Sequence, residues 1–393
     1  MDVSAARLAE SVAELVRIPS VNPLHAGPVS HAHGSVGEGA IAQHLADRFD
    51  ALGADEVVLH DIVDGRPNVY GIFAGRTERL VVLDVHTDTV TVEHMTDPPF
   101  DGRIEDGRVW GRGALDTKAS LGVITALLES WQQQRIRPEP TLLVVGSIAE
   151  EAGGLIGASH FRPWADDRGL EIDQLIVAEP TRLAPIHGHK GGAALRITAL
   201  GTSAHSALPH LGHNAIEAMA PVIMAMQQEH ERLQTLQPTT ELGNGTLSVT
   251  MIEGGTGGNV IPASCTIVVG RRIVPDEDAQ AVFDELAAIA TEACPLPVNI
   301  ESALEPGPDG STGTPAFYQS ADTRLVDDLA AWAGTAPTVA PFGTNALRYS
   351  GFAREMAVFG PGSIDDAHQA TESVAIDDLA RTAEVLTRWL DPA

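Results

Sequence analysis

The chain has 393 residues, more than one ordinary core accommodates, so two domains are expected. A composition of 44% hydrophobic and 20% charged residues is that of a soluble globular protein, and no apolar run reaches membrane-spanning length. The net charge of −28, from 25 basic and 53 acidic residues, excludes the basic footprint that nucleic-acid binding needs. Two cysteines, Cys265 and Cys294, do not make a disulfide framework. The opening MDVSAARLAE lacks the basic and apolar stretches of a secretory leader, so a cytoplasmic location is expected.

In chain order, Leu8, Val12, Leu15 and Val16 recur at helical spacing over residues 3–17, with Asp2 or Ser4 as a cap. Residues 25–37 are rich in Gly, His and Ser and read as a loop. A second helix covers 37–52 and closes at Gly53. Strands are expected at 56–62, 68–73 and 80–85, the last an almost unbroken apolar run, as in strands buried on both faces. Residues 97–113 are polar and turn-rich, and a helix follows over 117–133. Buried strands come at 141–148 and 174–178. Alternation of such strands with helices indicates an α/β fold, with a mostly parallel central sheet and helices on both faces.

The pattern changes after His189-Lys190-Gly191-Gly192. A strand (194–199), a helix (214–233), two strands (246–252 and 265–271), a helix (277–293) and a strand (297–302) give the order β-α-β-β-α-β. That is a ferredoxin-like α+β insert. A Gly/Pro-rich loop over 305–315 returns the chain to the first domain, which ends with helices near 323–333 and 376–390 and a short strand at 356–359. The expected organisation is 1–190 and 309–393 for the first domain and 191–308 for the insert.

Candidate chemistry gathers where the apolar strands stop. His86 and Asp88 follow the third strand, and residues two apart in an extended segment share a side. Glu150 and Glu151 follow 141–148, Glu179 follows 174–178, and His368 follows the last short strand. Asp116 stands at a helix start. In open α/β sheets ligands bind at the carboxyl ends of the strands. Of these, the imidazoles of His86 and His368 and the carboxylates of Asp116, Glu151 and Glu179 suit divalent metal ions, zinc first, with cobalt or manganese as alternatives. One carboxylate bridging two ions makes an open dinuclear hydrolase site. Of the adjacent glutamates, one can bind metal while the other faces the attacking water as general base.

Across almost the whole chain the motifs resemble those of the M20 metallopeptidase family, which includes acetylornithine deacetylase, succinyl-diaminopimelate desuccinylase, aminoacylase-1 and glutamate carboxypeptidase. They are LVRIPSVNP, VHTDTV, GRGALDTK, SIAEEAGG, VAEPT, GTSAHSALPHLGHNAI, GGNVIPASCTIVVGRR and DDAHQATESV. The resemblance implies a zinc-peptidase-like catalytic domain and an inserted lid or dimerisation domain. By it, Asp116 bridges two metals, one held also by His86 and Glu179, the other by Glu151 and His368. Asp88 orients His86, and Glu150 is the general base and acid. His205 reaches the neighbouring site of a homodimer to stabilise the oxyanion. Asn259 and Arg272 meet the substrate, Arg272 through a free carboxylate. Thr344 and Asn345 fall in a segment that lines the substrate pocket.

The chain departs from the family pattern at Thr117, Ala119 and Asn345, where Met, Gly and Asp are usual. None is a proposed ligand, but the Asn345 amide would remove an anion from the pocket and favour an acidic or neutral substrate. The expected activity is metal-dependent hydrolysis of the amide bond of a small N-acyl amino acid by a Glu-activated water. A metallo-carboxypeptidase or dipeptidase is the near alternative. A non-catalytic metal-dependent binding protein is the remote one, disfavoured because Glu150 and His205 are both present.

Overall fold

The computed structural model describes residues 3–152, 154–304, 310 and 312–391. Asp2 and the expected boundary at 308–309 lie outside them. The chain divides into two compact units. One comprises Met1–His187, Gln319–Thr338 and Thr344–Ala393, and the other Gly188–Tyr318 and Val339–Gly343.

The first unit is built on a sheet whose centre is parallel. Thr141–Ser147, Leu80–His86, Ile172–Val177 and Ala353–Val358 lie side by side in that order, all parallel. On the Thr141–Ser147 side, Arg66–Phe73 and then Glu56–Val63 add antiparallel. The strand Leu80–His86 is buried at every position because it is covered on both faces. Val81, Leu83 and Val85 join the main core with the helices Ala5–Val16, Gly39–Ala51, Lys118–Gln134 and Ile376–Leu390. Each such fully buried aliphatic side chain contributes about 1.5–3 kcal/mol. Tyr70 points the other way from Val69 and packs against Phe161 and Trp164 of the helix Ile156–Asp167, its ring 4.3 Å from Trp164.

That last helix carries Pro163 and two terminal aspartates, which hide its periodicity in the sequence. The stretch expected as a loop at 25–37 contains the one-turn helix Pro28–Ala32. The turn-rich stretch 97–113 contains a small hairpin, Arg103–Glu105 with Arg108–Trp110. Ser4 caps the first helix by accepting from Arg7 N at 3.3 Å.

The second unit is antiparallel. Its strands Gly191–Leu200, Thr246–Gly254, Ser264–Ile273 and Val298–Ser302 are ordered 4-1-3-2, the ferredoxin-like arrangement. Alternate residues of Gly191–Leu200, among them Leu195 and Ile197, face the helices Ala215–Gln234 and Ala279–Ala293. Asn214 and Asp278 cap those helices, accepting from Ile216 N and Ala281 N. Among the described residues no helix is long and apolar enough to cross a membrane.

Candidate active site

The parallel pairing aligns His86 with Ser147 and Asp84 with Val177, so Glu179, two residues past its strand, comes near the level of His86. The residues just beyond these strands therefore converge at one edge of the sheet. His86, Asp116 and Glu179 each offer a ligand atom within 4.8 Å of one another, and so do Asp116, Glu151 and His368. Asp116 belongs to both groups. Its Oδ1 is 3.0 Å from His86 Nε2, and its Oδ2 is 3.2 Å from His368 Nε2. His368 Nε2 is also 3.0 Å from Glu151 Oε2.

The imidazole of His86 is oriented by a backbone carbonyl. Its Nδ1 donates to Asp88 O at 3.0 Å, and its Nε2 faces the Asp116 carboxylate, which also only accepts, so Nε2 carries a hydrogen there too unless a metal ion takes its lone pair. The Asp88 carboxylate stands farther off, at 3.6 Å. It accepts instead from Asn22 Nδ2 at 2.7 Å, Glu150 N at 3.0 Å and Glu151 N at 3.1 Å. Asp88 thus ties the strand that carries His86 to the bend that carries both glutamates. Ala149 enters that bend at φ 58, and His368 sits at φ 61. Left-handed backbone at such residues costs of order 1–3 kcal/mol each and persists only where the surroundings hold it. At Ala149 the holding contact is its N–H, which donates to Glu38 Oε1 at 3.2 Å. Glu38 is itself buried and paired with Arg66 at 2.5 Å.

Asp116 is positioned from behind by Glu372, a residue to which sequence reasoning assigned no part. The Glu372 carboxylate accepts from Leu115 N at 3.0 Å and Asp116 N at 3.1 Å, and pairs with the buried Arg112 guanidinium. Thr117 Oγ1 donates to His86 O at 3.0 Å, linking the two candidate ligands again. Asn22 was missed likewise. Contacts with distant segments, such as Asn22 Nδ2 with Asp88 Oδ2, leave no local pattern to read.

Electrostatics of the cluster call for cations. Burial, reinforced by Glu151, Asp88 and Asp116, pushes the Glu150 carboxyl well above the usual range. Burial and the Asp116 charge push Glu151 up to about 7. Burial, then Glu150 and Asp116, raise Glu179 well above its ordinary value. Burial opposes charge on His86, but Asp116, Asp88 and Glu179 outweigh it and raise its pKa. Asp116 and Glu151 lift His368 to about 10. Glu179 Oε1 is buried with no hydrogen-bond partner among the described residues. Two divalent cations would balance the charge of Asp116, Glu150, Glu151 and Glu179 and give that orphaned oxygen a partner. The donor set of imidazole and carboxylate fits such ions.

Thr344 and Asn345 are both buried. Asn345 Nδ2 donates to Asp84 Oδ2 and to Ser147 Oγ, each at 2.9 Å. Its amide therefore meets an anion that the chain itself supplies. Asp84 is fully buried, and burial raises its pKa to about 6. Thr344 Oγ1 caps the turn Asn345–Arg348, accepting from Ala346 N at 3.1 Å.

The remaining candidates belong to the second unit. His205 pairs with Val260 in a two-residue ladder, and its Nδ1 accepts from Ala207 N at 3.1 Å. That fixes the hydrogen on Nε2 and makes the exposed edge of the ring a donor. Asn259 is anchored next to it, its carbonyl accepting from Ser206 N at 3.0 Å. Arg272, one residue from the end of Ser264–Ile273, is exposed, whereas its neighbour Arg271 is buried against Glu277.

Comparison with known proteins agrees with this geometry. Acetylornithine deacetylase of Myxococcus xanthus is 32% identical over 320 residues, covering 80% of each chain. A probable carboxypeptidase of Ajellomyces capsulatus is 28% identical over 421 residues, with 100% of this chain and 91% of that protein covered. The crystal structure of the aminopeptidase PepT of Bacillus cereus shares the fold, with a TM-score of 0.74, 19% identity and 98% of both chains covered. The sequence model of Peptidase family M20/M25/M40 matches residues 82–391. The chain therefore belongs to that family and is a hydrolase of amide bonds.

Proposed function

We propose that the chain removes the acyl group from a small N-acyl amino acid, using two divalent metal ions held by His86, Asp116, Glu151, Glu179 and His368. The supporting observation is the sharing of Asp116 between two three-residue ligand groups, with Glu150 in the same charged cluster. Bound ions would polarise the scissile carbonyl and acidify the attacking water. Glu150 takes the proton of that water and returns it to the departing amine. Its raised pKa suits a group that must accept a proton near neutral pH and then release it. Asp88 holds Glu150 in place through the Glu150 amide. Zinc is the ion this donor set favours, with cobalt and manganese next.

His205 serves the oxyanion through its Nε2 hydrogen, across a homodimer formed through the second unit. Arg272 forks the free carboxylate of the substrate, and Asn259 assists. The two buried free thiols, Cys265 and Cys294, favour a cytoplasmic setting. A carboxypeptidase or dipeptidase is the second reading, favoured by the carboxypeptidase relative. The test is a hydrolysis screen with added zinc, cobalt or manganese, in which N-acetyl, N-succinyl and N-formyl amino acids are set beside dipeptides. Faster turnover of an N-acyl amino acid is expected. Faster turnover of dipeptides would replace the proposal with the second reading.

A further inference from the structure

At the opposite edge of the catalytic sheet lies a cavity of about 370 Å³. Arg79 stands immediately before Leu80, the first residue of the strand that ends at His86. Gln174 pairs in register with Val81 on one side and Glu355 on the other. The cavity is therefore at the amino ends of the parallel strands, roughly 20 Å from His86 at a rise of about 3.3 Å per residue.

Part of its wall is apolar and aromatic. Leu325 and Trp389 are buried, and Trp332 is half-buried against the main core. The polar groups of the floor are already used. Gln174 Oε1 accepts from Trp389 Nε1 at 2.8 Å and from Arg79 Nη2 at 3.3 Å, and Gln174 Nε2 donates to Glu355 Oε2 at 2.8 Å. The Trp389 ring thus has only its apolar surface to offer.

The lining also brings together three guanidiniums, those of Arg79, Arg324 and Arg388. Glu139 holds Arg79 at 2.9 Å, and Asp328 makes a loose 3.4 Å contact with Arg324 Nε. Both Glu355 oxygens are taken, one by Gln174 and one by Arg324 N at 2.9 Å. No ion pair reaches Arg388 among the described residues. Arg388 is therefore, among the described residues, a guanidinium without an ion pair, placed beside two that have one, in a chain of net charge −28. Guanidinium matches carboxylate in a two-point fork, and it also lies flat on aromatic faces. The volume is at the small end of ligand cavities, which run from about 300 to 1,000 Å³, enough for one ring and an anionic head.

We propose that this cavity binds a small aromatic carboxylate, its ring against Trp332 and Trp389 and its carboxylate forked by Arg388 and Arg324. The site is separate from the metal-ligand cluster and takes a ligand of opposite charge to the one the cluster takes. The test is calorimetric titration of the metal-loaded enzyme with benzoate and with phenylacetate, and with inorganic phosphate as a ringless anion. Saturable binding of an aromatic acid is expected, weakened about tenfold or more by Arg388→Ala and by Trp332→Ala and unchanged by Arg272→Ala. Phosphate should bind at least about tenfold more weakly. Arg388 is exposed, so its variant should unfold at the wild-type temperature, which separates lost binding from lost fold. Three results would overturn the proposal: no saturation in the millimolar range, phosphate binding as tight as benzoate, or binding lost in Arg272→Ala but kept in Arg388→Ala.

Discussion

The two units hold their candidate residues in different ways. In the catalytic unit Glu150, Glu151, Asp116 and His86 have backing inside the fold. Asp88 holds the amides of Glu150 and Glu151, Glu372 holds the amide of Asp116, and the Asp88 carbonyl fixes the ring of His86. In the ferredoxin-like unit the His205 ring is held by a turn contact from Ala207 N, and Arg272 is exposed on its strand. The core of that unit, built on Leu195, Ile197, Ile267 and Met219, includes neither residue. Groups that meet metals and protons need fixed positions, and burial supplies them at the cost of crowded charge. Groups that meet a substrate need access, and an exposed strand supplies it. Changes in the first set should therefore disturb chemistry and stability together, and changes in the second should spare the fold.

The largest effect should come from Glu150→Gln, which keeps the shape of the side chain but cannot take a proton. Its kcat should fall by roughly 10²–10⁴ with full metal content, as steady-state kinetics and elemental analysis will show. Wild-type turnover would reduce Glu150 to a loop residue. Glu372→Ala comes next, because it leaves the buried Arg112 unpaired and two amides without an acceptor. Breaking such a pair typically costs about 3–5 kcal/mol, and denaturant unfolding should register a loss of that size. A loss under about 0.5 kcal/mol would mean that Glu372 does not hold the ligand loop.

Metal affinity should depend on pH in a direction set by Glu151. Its carboxyl is raised to about 7, and a proton and a metal compete for the same oxygens. Affinity should therefore rise from pH 6 to 8 and fall about tenfold per unit for each proton displaced below 7. Indicator competition at several pH values measures it, and a flat profile would remove Glu151 from the ligand set.

The smallest effects on stability belong to the second unit. His205→Ala and Arg272→Ala should each shift unfolding by no more than about 0.5 kcal/mol while lowering activity. Arg272→Ala should harm substrates with a free carboxylate more than their amides or esters. For His205 the decisive form is mutant mixing with Glu150→Ala. If His205 serves the neighbouring protomer, a mixed dimer has one intact site, and random mixing returns about a quarter of wild-type activity. No rescue, with mixed dimers shown to form, would place His205 outside the neighbour's site.

Much of this was legible in the sequence because strands announce themselves. The apolar run of residues 80–85 ends where His86 begins, and the pairing with Thr141–Ser147 and Ile172–Val177 then gathers the ends of three strands at one edge. The insert was legible because its strands and helices follow one another in the order β-α-β-β-α-β, which the structure folds into an antiparallel sheet of those four strands with two helices. The helix Ile156–Asp167 was not, since Pro163 and its small and acidic residues mask the period. Glu372, Asn22 and Glu38 were illegible for another reason. Each acts on a segment at least 66 residues away in sequence, and nothing local marks such a contact. Asn345 was visible as a departure from the family pattern, but its pairing with Asp84 needed the fold.

The central claim is that Asp116 is shared by two metal positions. Metal titration of the stripped protein, followed by elemental analysis, tests it most directly. Wild-type chain should take up two divalent ions, Glu179→Ala and Glu151→Ala should each lose mainly one, and Asp116→Ala should lose both, together with all activity. An Asp116→Ala variant that keeps two ions, or a stripped wild-type chain that still hydrolyses amides, would contradict it.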